Sequence, residues 1–213
     1  MGPMTPRAFA LLLLAYLVLL SVLAFVLPGL AFQQMFSEHG AIEMLNAVLW
    51  LIAALVFVVL AWRTRDQVAV LAVFPLLAAG LRELDLHNAI TGYSVLKVSF
   101  WLAPRFDPLH KLVAAAVLLP TLLCLGWLLV LLVRRLRAGG LGHPAIGMLL
   151  LAVGLLVFSK VCDRAPAVLA ESYGVDLPAQ IRNWSQALEE GIELLLPVLF
   201  SWAWFLRDRV RRP

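Results

Sequence analysis

Residues 8–32 read AFALLLLAYLVLLSVLAFVLPGLAF and contain no charged side chain. A helix that crosses the hydrocarbon core of a bilayer needs about 20 mostly apolar residues, and this run has 25. The apolar region of a cleaved secretory signal is shorter, so we interpret the run as a retained transmembrane helix. The N-terminal part of the chain therefore indicates an integral membrane protein.

The composition of the whole chain supports the same interpretation. Of its 213 residues, 63% are hydrophobic and 14% are charged, whereas about 25% of the residues of a soluble domain are charged. A water-soluble globule of this size could not bury so much apolar surface. The two cysteines, Cys124 and Cys162, do not suggest a disulfide framework.

Further apolar runs follow along the chain, three of them shorter than a full span. The runs are continuous, whereas the strands of a membrane β-barrel alternate apolar and polar residues. We therefore predict a single all-α domain, an integral membrane bundle of about six transmembrane helices. The approximate predicted spans are residues 8–32, 41–62, 67–87, 109–133, 144–163 and 185–206.

The basic residues predict the orientation of this bundle. The N-terminus, two alternate loops and the C-terminal tail would share one side, and they contain ten basic and two acidic residues. The opposite side would contain seven basic and eleven acidic residues. Because basic residues accumulate on the cytoplasmic side, we predict that both termini face the cytoplasm. The charge pattern and the compact architecture suggest a bacterial inner (plasma) membrane, with the acidic side toward the periplasm or exterior.

Three predicted helices run directly into charged residues at their outward ends, over residues 82–87, 160–164 and 186–193. Glu193 lies 13 residues before Leu206, which is about 20 Å along an α-helix. Part of this charge must then lie within a hydrocarbon core that is about 30 Å thick. Ionisable residues at such depth usually face one another or a water-filled cavity. We therefore predict a polar cavity that opens outward and is walled by the second to sixth helices.

The candidate site residues are the ionisable residues that this cavity would bring together. The candidate catalytic acids and bases are Glu43, Glu83, Asp85, His87, Glu190 and Glu193. The candidates for holding a substrate headgroup are Arg82, Lys111, Lys160, Asp163 and Arg164. Residues three or four apart share a helix face, which predicts neighbours such as Lys160 with Asp163 and Glu190 with Glu193. The alternative interpretation is a structural ion-pair network that holds the bundle together.

A metal site is one chemistry that this set could support. Carboxylates and imidazoles bind zinc and similar divalent ions, which can activate water for hydrolysis. The candidate ligands are Asp85, His87, His110 and Glu193. The sequence has no HExxH or CxxC motif, so a metal-free acid–base reaction on a lipid is the other chemistry considered.

The leading hypothesis is a membrane-embedded hydrolase or transferase that acts on a lipid or lipid-linked substrate at the outer leaflet. The competing hypothesis is a non-enzymatic membrane partner or assembly factor. The third is a proton-coupled transporter of a small solute, which is disfavoured because the cytoplasmic halves of the helices are nearly all apolar. Nucleic-acid binding is not expected, because the arginines are spread over loops rather than concentrated on one recognition element.

Overall fold

The computed structural model describes residues 6–37, 39–86, 95, 98–104 and 106–211. Helix accounts for 88% of this part of the chain, and no strand occurs in it. The predicted all-α fold is therefore confirmed for the described residues. The helices are α1 (Pro6–Val26), α2 (Gly29–Phe36), α3 (Ala41–Thr64), α4 (Gln67–Glu83), α5 (Val98–Leu102), α6 (Pro108–Arg137), a 3₁₀ turn (Gly140–Gly142), α7 (Pro144–Tyr173) and α8 (Ala179–Arg211).

Several of these helices are compatible with a membrane. Within the described ranges, four helical stretches are long and apolar enough to cross a bilayer, judged by length and composition. The stretches are Arg7–Val26, Gly29–Thr64, Pro108–Arg137 and Pro144–Tyr173. This agrees with an all-α membrane protein. Neither α4 nor α8 belongs to this set: α4 has only 17 residues, and α8 contains the carboxylates near Glu193.

The predicted single helix over residues 8–32 is two helices in the structure. Helix α1 ends at Val26 and α2 begins at Gly29, with Pro28 as its N-cap at φ −59° and ψ 148°. Proline has no backbone N–H and disfavours helical geometry at the residue before it. The apolar run therefore continues through this position, whereas the helix does not.

Two further helices extend beyond their apolar runs. Helix α7 continues to Tyr173, ten residues past the predicted end at 163, and α8 begins at Ala179 rather than at 185. The added turns contain polar residues, which hydropathy excludes from a span but which form a helix readily. Hydropathy predicts the segment of a helix that can contact lipid. In α7 and α8 this segment is shorter than the whole helix.

The chain divides into two compact units. The first comprises Met1–Glu43 and Leu151–Leu196. In it, α1 approaches α8 closely at Gly191, where a Cβ atom would overlap the Leu20 side chain. The Tyr16 hydroxyl donates a hydrogen bond to the Gly191 carbonyl at 2.7 Å. The buried core of this unit consists of Leu20, Ala24, Phe32, Phe36, Cys162, Ala187, Leu188 and Ile192.

The second unit comprises Met44–Leu150 and Pro197–Pro213. Helix α4 packs along α6 in this unit. Aromatic rings join α3 to the C-terminal part of α8: the Trp50 and Phe200 centroids lie 6.1 Å apart, and those of Phe57 and Trp204 lie 6.0 Å apart. These contacts give the unit an aromatic and aliphatic core.

A charged contact in the second unit lies at the turn between α3 and α4. Asp66 is the N-cap of α4 and accepts hydrogen bonds from the backbone N–H groups of Val68 and Ala69. The Arg207 guanidinium donates a hydrogen bond to the same carboxylate. Burial opposes ionisation, but the hydrogen bond and charge of Arg207 and the two N–H groups outweigh it and lower the pKa of Asp66.

Candidate functional site

Helices α7 and α8 bring four polar side chains together in the first unit: Ser159, Lys160, Glu189 and Glu193, here called the Lys160 network. The Lys160 Nζ lies 2.5 Å from Glu193 Oε1 and 3.5 Å from Glu189 Oε1. The Ser159 Oγ lies 3.1 Å from the same Glu193 oxygen and 3.1 Å from the Leu156 carbonyl oxygen. One ammonium group thus bridges two carboxylates, and a hydroxyl lies beside one of them.

Helix geometry explains this arrangement. Glu189 and Glu193 are four residues apart on α8, so both carboxylates project from one face of that helix. Ser159 and Lys160 are consecutive on α7 and reach the same two carboxylates from the opposite side. The network therefore depends on the packing of α7 against α8 and not on either helix alone.

The network is buried at one end and open at the other. Ser159 is fully buried and Glu193 is 6% exposed, whereas the Lys160 side chain is 35% exposed. A buried carboxylate is strongly destabilising unless it is paired and hydrogen-bonded. Lys160 and Ser159 supply these bonds to Glu193, and the Lys160 side chain is partly exposed.

Asp163 and Arg164 extend the charged row along α7. The Arg164 Nε lies 3.5 Å from Asp163 Oδ2, and these side chains are 79% and 39% exposed, respectively. Three carboxylates therefore accompany two cations over residues 160–164, 189 and 193.

Hydrogen bonds from the start of α8 hold this helix in position. Ser185 donates to the Cys162 carbonyl at 2.7 Å, Gln186 donates to the Phe36 carbonyl at 2.8 Å, and the Trp184 indole donates to Ser21 at 2.9 Å. The acceptors belong to α7, α2 and α1. Three neighbouring helices thus fix the turn of α8 that directly precedes Glu189.

A largely apolar stripe runs along one face of α7 and includes the two cations, Lys160 and Arg164. Residues at helical spacing on one face form this α7 stripe: Leu156, Val157, Lys160, Val161, Arg164, Ala165 and Val168. Val157, Val161 and Val168 are 60%, 55% and 47% exposed. The face therefore presents mainly hydrocarbon, to which the stems of the two cations contribute.

The candidate residues of the second unit have other surroundings. Arg82 and Glu83, at the end of α4, lie 4.0 Å apart. Asp85 follows α4 with a left-handed backbone at φ 50°. The Lys111 ammonium donates to the backbone carbonyls of Trp101 and Ala103 at 3.0 and 2.9 Å. Lys111, predicted to hold a headgroup, thus binds the C-terminal end of α5.

The remaining predicted residues are distributed as follows. Glu43, in the first turn of α3, accepts a hydrogen bond from the backbone N–H of His39. Glu190 is half-buried on α8, and His110 is half-buried in the first turn of α6. His87, a predicted base and metal ligand, lies outside the described residues. Among the residues that the structure describes, no three His, Cys, Asp or Glu side chains lie close enough together to hold a metal ion.

Glu189 and Ser159 were not among the predicted site residues. The four-residue separation of Glu189 and Glu193 was a signal that could have identified Glu189. Ser159 carries no comparable signal, because an isolated serine in an apolar run usually donates to its own helix backbone. Its proximity to Glu193 follows only from the packing of the two helices.

No protein-family model, curated protein or solved structure matches this chain.

Proposed function

We propose that this chain is an inner-membrane protein of bacterial type with six transmembrane helices and both termini in the cytoplasm. Besides the four long apolar stretches, α4 and the C-terminal half of α8 complete the six spans. The Asp66–Arg207 contact supports this topology, because it joins the turn after α3 to the end of α8 within one unit. Both segments belong to the basic side of the chain, which the positive-inside rule assigns to the cytoplasm.

Within this topology, the protein is an enzyme that acts on a lipid or lipid-linked substrate from the outward side. The observation that supports this most directly is the bridging of Glu189 and Glu193 by Lys160, next to the α7 stripe. A pair of carboxylates can divide the work of general catalysis: one accepts the proton of an attacking water or alcohol, and the other, when protonated, returns a proton to the leaving oxygen. Lys160 and Arg164 hold the phosphate of the headgroup.

Reconstitution tests this proposal. The purified protein is placed in vesicles made from a total bacterial membrane lipid extract, and the lipids are analysed by mass spectrometry over time. The wild type converts one lipid class, and Glu193→Gln lowers the rate about 100-fold or more, as expected for loss of a general acid or base. Glu171→Gln serves as the control, because Glu171 is an exposed carboxylate near the end of α7, outside the Lys160 network. A folded Glu193→Gln protein with wild-type turnover would contradict the proposal.

The predicted roles of Arg82, Asp85 and His87 form a separate part of the proposal. They are tested in the same assay with Arg82→Gln, Asp85→Asn and His87→Gln. Zinc or another divalent ion would act through Asp85, His87 and His110, and elemental analysis of the purified protein measures it directly. A metal that is present in the wild type and lost in Asp85→Ala and His110→Ala makes the metal-dependent route the mechanism.

A second candidate function is that of a non-enzymatic membrane partner or assembly factor. The burial of Glu193 and its bonds to Lys160 and Ser159 favour it, because such contacts also occur in structural ion-pair networks. This function predicts that Glu193→Gln lowers thermal stability and that a protein co-purifies with the chain. Proton flux in vesicles that is lost with Glu193→Gln would instead support the third candidate, a proton-coupled transporter.

A further inference from the structure

A groove in the second unit runs between α3 and the C-terminal part of α8, and we call it the α3–α8 groove. Its volume is about 500 Å³, and its lining includes Ile52, Ala53 and Val56 of α3 and Pro197, Val198 and Phe205 of α8. Ala53 and Pro197 are buried and form the floor, whereas Ile52, Val198 and Phe205 are 51%, 43% and 46% exposed and form the rims. The groove therefore presents mainly hydrocarbon to its occupant.

The α3 face that lines this groove leads to an exposed arginine. Val56 and Arg63 are seven residues apart, or about two helical turns, so they lie on one stripe of α3. Because the Phe57 ring packs on the Trp204 ring, Leu206 at the end of the groove lies about two residues past Phe57 along α3. Arg63 follows about four residues later, or ~6 Å along the helix axis. The cation therefore follows the hydrocarbon groove and does not interrupt it.

The charge at this end of the groove is positive. Arg63 and Arg65 are exposed, and neither side chain makes an ion pair or a hydrogen bond with the part of the chain that the structure describes. Asp66, the acidic residue of the same turn, is paired with Arg207. Trp62 is 80% exposed, and an exposed indole beside arginines is typical of the level at which lipid headgroups lie. An anionic headgroup would meet two unpaired guanidinium groups here.

From this arrangement we infer that the α3–α8 groove binds an anionic glycerophospholipid of the phosphatidylglycerol type. One acyl chain lies along the groove, and the phosphate accepts hydrogen bonds from Arg63, whose planar guanidinium matches a phosphate in bidentate geometry. Arg65 adds positive charge that attracts the phosphate and would repel an ammonium group in the headgroup. The inference goes beyond the proposed enzymatic function and takes from it only the position of α3 and α8 in the bilayer.

Native mass spectrometry of the full chain in detergent, titrated with dimyristoyl lipids of equal chain length, tests this inference. Phosphatidylglycerol, which has a net negative charge, is compared with zwitterionic phosphatidylethanolamine. We expect the wild type to bind phosphatidylglycerol about tenfold more tightly, as one charge-assisted hydrogen bond provides. Soluble glycerophosphoglycerol at the same concentration should not displace the lipid, because it has no acyl chain to occupy the groove.

Two variants separate the headgroup contact from the acyl-chain contact. Arg63→Gln should remove the preference for phosphatidylglycerol, whereas Arg137→Gln, which removes an exposed arginine at the end of α6 in the same unit, should retain it. Val198→Trp fills the groove and should weaken the binding of both lipids about tenfold without changing the preference, because the acyl chain loses its contacts with the groove. Val130→Trp is the control for it, since Val130 is a 40% exposed valine of α6 that does not line the groove.

Four outcomes would overturn the inference: equal binding of the two lipids by the wild type, an Arg63→Gln protein that keeps the preference, an equal loss of preference in Arg137→Gln, or full displacement by the soluble headgroup. A lipid-free dimer that is lost in Val198→Trp would also overturn it, because a second copy of the chain would then occupy the groove. Lipid turnover without this selective binding would refute the inference and leave the proposed enzyme in place. Selective binding without turnover would have the opposite meaning.

Discussion

Lys160 lies 2.5 Å from one carboxylate oxygen and 3.5 Å from another, and both carboxylates are more buried than the lysine itself. Replacing Lys160 by Met would leave Glu189 and Glu193 without their shared cation. An unpaired buried charge costs about 3–5 kcal/mol, and the partial exposure of Lys160 reduces this through solvent screening. We therefore expect Lys160→Met to lower the free energy of unfolding by about 1–3 kcal/mol.

A double-mutant cycle measures whether the loss of unfolding free energy in Lys160→Met comes from the interaction between Lys160 and Glu193. In Lys160→Met/Glu193→Gln, the uncompensated charge at position 193 is gone, so the double variant should be more stable than the sum of the single effects implies. Unfolding in detergent with increasing denaturant gives the free energies of unfolding of the wild type, the two single variants and the double variant. Strict additivity of the two changes would show that Lys160 and Glu193 do not stabilise the fold as a pair.

Gly191 is a second residue whose identity the packing requires. A Cβ atom there would overlap the Leu20 side chain, which is only 3% exposed and has little room to move. Overpacking of this kind costs about 1–3 kcal/mol, against about 1 kcal/mol that alanine gains over glycine within a helix. We expect Gly191→Ala to lower the melting temperature.

The matched control for Gly191→Ala is Gly154→Ala, because a Cβ atom at Gly154 meets nothing within 4 Å. That substitution should leave the melting temperature unchanged or raise it. In a Leu20→Ala background, Gly191→Ala should lower the melting temperature less than it does in the wild type, since the overlapping side chain is gone. Equal melting temperatures for the two alanine variants would contradict the close approach of α1 and α8.

At the scale of the helix, Pro166 interrupts the hydrogen bonds of α7 and Ser185 compensates for it. Proline at 166 supplies no N–H to the Cys162 carbonyl one turn earlier. The Ser185 hydroxyl of α8 donates to this carbonyl at 2.7 Å. Side chains of neighbouring helices commonly satisfy backbone groups that a proline frees in membrane helices.

This pairing predicts that Ser185→Ala destabilises the protein by about 1 kcal/mol, because a buried acceptor loses its partner. In a Pro166→Ala background the same substitution should cost less, since the N–H of residue 166 then bonds the Cys162 carbonyl. Ser201→Ala is the control, because its hydroxyl bonds the carbonyl of Pro197 within its own helix. An equal cost of Ser185→Ala in both backgrounds would disprove the compensation.

The apolar runs of the sequence predicted where the helices lie but not where each helix begins and ends. The predicted all-α fold follows from continuous apolar runs such as 8–32, and proline at position 28 shows where such a run divides into two helices. The extension of α7 to Tyr173 was not predictable from hydropathy, because those turns are polar. Packing and capping, not apolarity, determine where these helices end.

The candidate site was predictable in part for a related reason. Glu193 and Lys160 were identified because each lies at the charged end of an apolar run, and this is a property of one helix. The contacts of Lys160 with Glu189 and of Lys111 with the α5 carbonyls depend on which helices pack together. Sequence periodicity contains no information on such pairings between helices, so partners within a helix were predicted instead.

At the scale of the whole molecule, the Asp66–Arg207 contact joins residues that are 141 positions apart in the chain. The lowered pKa of Asp66 means that the folded protein holds this carboxylate ionised more strongly than the unfolded chain does. Its stabilising contribution is therefore complete above the ordinary pKa of an aspartate, about 3.9. It is lost as the pH falls through the lowered pKa of the folded state.

We expect the wild type to lose stability on acidification below about pH 4 and Asp66→Asn to show a smaller loss over the same range. Asparagine keeps the N-cap hydrogen bonds to α4 but cannot titrate or pair with Arg207 as an anion, so the comparison isolates the charge. Thermal unfolding at a series of pH values measures how steeply the stability of each protein falls with pH. Arg207→Gln should make this fall less steep, as Asp66→Asn does. If stability fell equally with pH in the wild type and in Asp66→Asn, the Asp66–Arg207 contact would not hold the α3–α4 turn to the end of α8. This contact would then no longer support the proposed topology.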